Sequence, residues 1–177
     1  MLLSPRRVYF VCAPVGIHAA LRARAFALAA GVPQPSGLSA NGLTEAFSTS
    51  APISLYGATK LASEHLALEY GAAFDFPVWI NRCGALAGAG QFGRADQGIL
   101  PFWIHSWLRG RPLRYVGFGG RGLQVRDFLH PRDLAPLLIA QMERGTWSRE
   151  PMANLGGGLP NSLSLAQLSA WCEARFG

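Results

Sequence analysis

At 177 residues, half of them hydrophobic and 15% charged, the chain has the composition of one globular domain with a real core, which excludes a disordered or low-complexity segment. The net charge of +6 is nearly all arginine and is scattered, so there is no basic stripe to suggest nucleic acid, and Arg22 and Arg24 interrupt the best candidate for a membrane span. Three cysteines, Cys12, Cys83 and Cys172, lack any C-x-x-C spacing and argue against disulfides and zinc.

The start, Arg6-Arg7 before an apolar stretch, imitates a secretory signal, but Pro14 and His18 fall inside that stretch and the chain reads as cytoplasmic. The continuous apolar run at 7–12 (Val8, Tyr9, Phe10, Val11) predicts a strand buried on both faces of a parallel sheet. Residues 17–31, rich in alanine and arginine, suit a helix. Residues 33–54 carry glycine, proline, serine and asparagine and predict a long loop.

A helix then opens at Ser54, a natural N-cap, with an apolar stripe of Leu55, Leu61, Leu66, Leu68 and Tyr70. Tyr56 and Lys60 stand at i and i+4 on it, so both side chains leave one face a turn apart. An ammonium beside a phenol favours the phenolate and makes a usable base. Lys60 is the one lysine against fifteen arginines, so the composition otherwise avoids lysine where a plain positive charge would serve. Gly57 next to the tyrosine costs about 1 kcal/mol of helix propensity, which implies a close approach there.

Asp75-Phe76-Pro77 ends the helix, and Val78-Trp79-Ile80 predicts the next buried strand, completing a βαβ unit. Residues 84–98 form a glycine-rich shaped loop, 99–108 a helix, and 113–116 and 124–129 two short strands. Residues 131–142 predict a helix with proline in its first turn, and 162–175 a final helix. The run at 117–122 satisfies G-x-G-x-x-G, yet residues 123–128 immediately after it alternate like a strand. A dinucleotide fingerprint must lead into a helix, so these glycines predict a hairpin turn instead.

The segment from Pro52 to Glu64 matches P-x-S-x-Y-G-x-[ST]-K-x-x-x-E and resembles the extended short-chain dehydrogenase/reductase family, the NAD-dependent epimerases and dehydratases. Further matches come in order: Arg82 to Gly88, Gly120 to His130, the Asp-Leu-Ala helix at Asp133, and Asn154 to Gly158. Gln91-Phe92, Asp96-Gln97-Gly98 and Gln124-Val125-Arg126-Asp127 look most like the 2-epimerases acting on CDP-sugars (CDP-paratose and CDP-tyvelose).

The resemblance implies an α/β fold. Residues 1–83 would be part of a Rossmann-like core, and residues 84–177 part of an interleaved substrate-binding region. It implies an isomerase-like chemistry in which Tyr56 takes a proton from a sugar hydroxyl while hydride leaves to NAD. Lys60 holds the nicotinamide ribose, Arg82 stands beside the cofactor, and Gln91, Phe92, Gln97 and Arg126 bind the nucleotide sugar, Arg126 gripping its diphosphate. His130 is expected to cap or pack.

Three departures from the family pattern shape the expectation. The glycine fingerprint and its strands are missing, Cys12 and Gly16 replace the catalytic Ser/Thr and a tyrosine, and the family continues past Gly177. A thiol is a weak donor, and one lost bond to a developing oxyanion costs about 2.7–4 kcal/mol. The chain is therefore expected to be truncated at both ends and a poor catalyst alone, a remnant in preference to one half of a split enzyme with a separate N-terminal half. The other reading is a non-catalytic nucleotide-sugar binder or assembly partner. The resemblance also implies a homodimer through the Tyr56 helix.

Overall fold

The computed structural model describes residues 1–5, 8–9, 17–95, 97–146, 148 and 150–177. Its first strand, β1, is Leu2–Pro5. Of the apolar run at 7–12 only Val8 and Tyr9 are among the described residues, so the strand expected there lies outside them. Val8 and Tyr9 belong to no strand and are buried against Phe47 in a small core, while Phe10, Val11, Cys12 and Gly16 lie outside the described residues.

Residues 17–31 form a hairpin, not a helix. β2 (Ala19–Arg22) pairs antiparallel with β3 (Ala25–Leu28), and Ala23 and Arg24 both take positive φ, the two-residue turn that matches strand twist. Tertiary contacts override alanine's helix preference. Ser164 Oγ donates to the Arg24 carbonyl at 2.6 Å, Gln167 Nε2 to that of Ala23 at 3.0 Å, and the Phe26 N–H to that of Leu123 at 2.9 Å. The loop at 33–54 holds only the two-residue strands β4 (Leu38–Ser39) and β5 (Gly42–Leu43).

Helix α1 (Leu55–Phe74) begins as expected, with the Gly57 N–H donating to Ser54 Oγ at 2.9 Å, and ends at Asp75 in the left-handed region. Its apolar stripe is not its buried face. Leu55 is 91% exposed, and Leu66 and Tyr70 are exposed too. The buried positions are Gly57, Glu64 and Gly71, seven residues apart, with Leu61 and Leu68 half-buried beside them. A seam of glycine, glutamate and glycine carries no hydrophobic signal, so periodicity points to the wrong side.

β6 (Ile80–Cys83) starts two residues later than Val78 suggests, and β7 (Ala85–Leu86) follows it after a single residue. α2 (Ile99–Leu108) keeps the expected bounds. Residues 113–116 form no strand: Leu113 and Tyr115 pack into the cluster around Trp103, Leu168 and Cys172, with Tyr115 stacked on Trp103 at 5.4 Å between centroids. The glycine run therefore closes no hairpin. It makes a 3-10 turn at Phe118–Gly120 and leads into β8 (Val125–Leu129), not into a helix.

α3 (Pro131–Arg144) is capped by His130, whose Nδ1 accepts from the Arg132 N–H at 3.1 Å. After β9 (Met152–Leu155), the first turn of the expected last helix is instead β10 (Ser162–Ser164). α4 (Leu165–Phe176) then starts on a capping box of Ser164 and Gln167.

Strands β1, β6 and β9 pair in parallel in that order, and β10, β8 and β7 make a second sheet in which β7 and β8 are parallel. The α/β class with a parallel sheet is thus as read from the sequence. A buried amide pair ties β6 to α3, with Asn81 Nδ2 donating to Gln141 Oε1 at 2.7 Å and Gln141 Nε2 returning the bond at 3.0 Å. Glu64 on α1 meets Arg82 on β6. The Tyr56 turn stands eight residues before Glu64, about 12 Å along the axis of α1.

Candidate active site

The first turns of α1 bring Tyr56 and Lys60 together. The ammonium sits 5.5 Å from the centroid of the Tyr56 ring, and the tyrosine is 48% exposed, so the pair faces solvent. This is the arrangement that i, i+4 spacing on a helix dictates.

The other expected residues distribute differently. Arg82 is 3% exposed and faces away from solvent into the seam under α1. Its Nη2 meets Glu64 Oε2 at 2.7 Å and its Nε lies 3.0 Å from the same oxygen and 3.2 Å from Oε1. Its Nη1 donates to the Tyr9 hydroxyl at 2.6 Å. Burial alone would pull this guanidinium down; hydrogen bonds to Glu64 and Tyr9 outweigh burial and hold it above its ordinary value. Tyr9 in turn donates to Asn154 Oδ1 at 3.0 Å, and the Asn154 N–H donates to Glu45. The position of Arg82 is thus within a buried network joining α1, β6, β9 and the loop before α1.

Glu64, Tyr9 and Asn154 appear in the sequence reading as motif or strand positions, but no role around Arg82 is assigned to them there. Glu64 closes the motif at 52–64, and the available signal is a charged residue midway between two glycines at heptad spacing.

The motif segments 82–88, 120–130 and 154–158 do converge. The Ala87 N–H donates to the Leu129 carbonyl at 3.1 Å. A Cβ on Gly88 would lie 2.6 Å from His130 Nε2, and one on Gly157 1.9 Å from the Phe128 carbonyl oxygen, so both glycines permit contacts that any side chain would block. Gln91 Nε2 donates to the Leu86 carbonyl at 3.3 Å, leaving its Oε1 buried without a partner. Phe92 is 92% exposed, and Gln97 and Arg126 are exposed, with Arg126 Nη2 donating to Gln124 Oε1 at 3.2 Å. Asp96 lies outside the described residues. A cavity of about 210 Å³ borders Phe92 together with His105, Arg109 and Arg111. A larger one of about 490 Å³ lies between α2 and α4 and is lined by none of the expected site residues.

Residues 20–156 match the NAD dependent epimerase/dehydratase family. The chain belongs to that family. It is 30% identical over 115 residues to CDP-paratose 2-epimerase of Salmonella typhi, an overlap of 64% of this chain and 34% of that protein. Its fold is similar to dTDP-glucose 4,6-dehydratase from Bacillus anthracis in complex with NAD, with a TM-score of 0.63 and 22% identity over 97% of this chain and 44% of that one. It is also similar to UDP-glucuronic acid 4-epimerase from Bacillus cereus in complex with UDP-glucuronic acid and NAD, with a TM-score of 0.59 and 27% identity over 78% and 42% of the two chains. The chain thus spans less than half the length of these relatives. The family read from the Tyr56 segment is borne out, and among the described residues no helix is long and apolar enough to cross a membrane.

Proposed function

We propose that this chain handles a nucleotide sugar as an NAD-dependent epimerase or dehydratase does, with Tyr56 taking the proton from a sugar hydroxyl. The observation that carries this reading is the half-exposed Tyr56 phenol with the Lys60 ammonium against its ring. Lys60 supplies donors for ribose hydroxyls. NAD, when bound, takes up the hydride that leaves the sugar carbon. The residues present fit one end of it: Tyr56 and Lys60 suit the nicotinamide ribose. The G-x-G-x-x-G run at 117–122 leads into β8 and not into a helix, so it is not built to hold the pyrophosphate.

On the substrate side, the buried Gln91 Oε1 is an acceptor suited to a sugar hydroxyl, Phe92 offers a ring to a base, and Arg126 offers a fork to the diphosphate, with Gln97 beside them. Similarity to the Salmonella typhi protein supports a CDP-sugar. Residues 1–83 serve as part of a Rossmann-like core and 84–177 as a substrate part interleaved with it, since β9 joins the sheet of β1 and β6, and the exposed Leu55, Leu66 and Phe74 of α1 suit a second copy of the chain.

Titration calorimetry with CDP, a CDP-sugar and NAD tests the reading, alongside turnover of the Tyr56→Phe variant. The expected result is binding of the CDP-sugar and a turnover that falls about 100-fold or more without the phenol. Binding of CDP with no contribution from Tyr56 favours a non-catalytic binder, and binding of no nucleotide contradicts both.

A further inference from the structure

We propose that the buried Glu64–Arg82 pair is a positioning device that fixes the rotation of α1 about its own axis, and with it the direction in which Tyr56 and Lys60 point. The inference rests on the reading of those two residues as the site, and it concerns groups that touch neither substrate nor cofactor. The seam of α1 is Gly57, Glu64 and Gly71. Two of these have no side chain and cannot key the helix by shape, and Leu61 and Leu68 are only half-buried at its side. Apolar contact is non-directional, whereas a guanidinium meeting a carboxylate through two nitrogens and both oxygens has a set orientation. Glu64, 1% exposed, makes that contact with Arg82.

Arg82 is itself held from its other side. Nη1 donates to Tyr9, Tyr9 donates to Asn154 on β9, and Nη2 also touches Met152 Sδ at 3.5 Å, so the fork cannot turn with the helix. A slip of α1 by about 20° would carry side-chain tips about 6 Å from the axis through roughly 2 Å. Misplacement on the order of 1 Å can cost about 100-fold in rate.

The test is NMR of the full chain with ring-labelled tyrosine, the Tyr56 signal being assigned from the Tyr56→Phe spectrum. Glu64→Gln removes the charge, Arg82→Lys keeps it but loses the fork, and Gln141→Ala breaks the separate Asn81–Gln141 pair as a stability control. Positioning predicts that Glu64→Gln and Arg82→Lys each displace the Tyr56 signal and remove its proximity signal to the Lys60 side chain. The control lowers the Tm and leaves both in place. Glu64→Asp, which only withdraws the carboxylate by one methylene, serves if the other two do not fold. Variants that melt lower while Tyr56 and Lys60 keep their wild-type signals would overturn the proposal. The readout needs no turnover, so loss of the enzymatic reading, seen as no nucleotide-sugar binding by wild type, is distinguished from loss of this one.

Discussion

Arg82 and Glu64 illustrate how a buried charge behaves when each partner is satisfied. Such a pair contributes little net stability compared with apolar residues of the same volume, yet removing one member strands the other, at a cost of about 3–5 kcal/mol. Arg82→Ala should therefore lower the unfolding free energy by about that amount in urea titration; a change within about 0.5 kcal/mol would mean that the carboxylate is not buried as described. Cys172 sets a second expectation. It is buried, and burial pushes its thiol above the ordinary 9.0. Because the folded state holds the proton more tightly, the associated stability is fully present below pH 9.0 and is lost as pH rises beyond it. At pH 8 the native thiol should resist alkylation and react once the chain is unfolded in urea, read by mass of the labelled peptide.

The elements differ in how plainly the residues announce them. α1, α2 and α3 are legible because punctuation marks them: Ser54 and Asp75 bracket the first, Gly98 precedes the second, and His130-Pro131 opens the third. The α1 seam is hidden, since glycine and glutamate look like surface, and its exposed leucines imitate a core stripe. The β2–β3 hairpin is equally hidden, because Ser164 and Gln167, about 140 residues away in sequence, hold its turn. Alternation at Leu113 and Tyr115 suggests a strand, but a cluster with α2 and α4 buries them, a long-range contact that no local pattern encodes. Ser164 both caps α4 and bonds the hairpin turn. Ser164→Ala should cost about 1–2 kcal/mol and raise amide exchange across residues 19–28. Unchanged exchange there would show that the hairpin stands without α4.

Taken together, the two sheets meet where β6 runs on into β7, the glycine contacts of Gly88 and Gly157 and the β8 arginine are carried by elements around that junction, and the Glu64–Arg82 pair ties α1 to β6. Motif chemistry makes the family legible, because a phenol, an amine and a carboxylate at fixed helical spacing are a rarer pattern than any propensity. Arg82 shows the limit of that route: its place in the motif is plain, but its inward direction depends on Glu64 and Tyr9 and can be read only from packing. The most direct trial is the Tyr56 ring signal during titration of the full chain with a CDP-sugar. The account predicts that this signal moves with the same saturation curve as nucleotide-sugar binding, and that Lys60→Met weakens the response. A nucleotide sugar that binds while the Tyr56 signal stays still would contradict it.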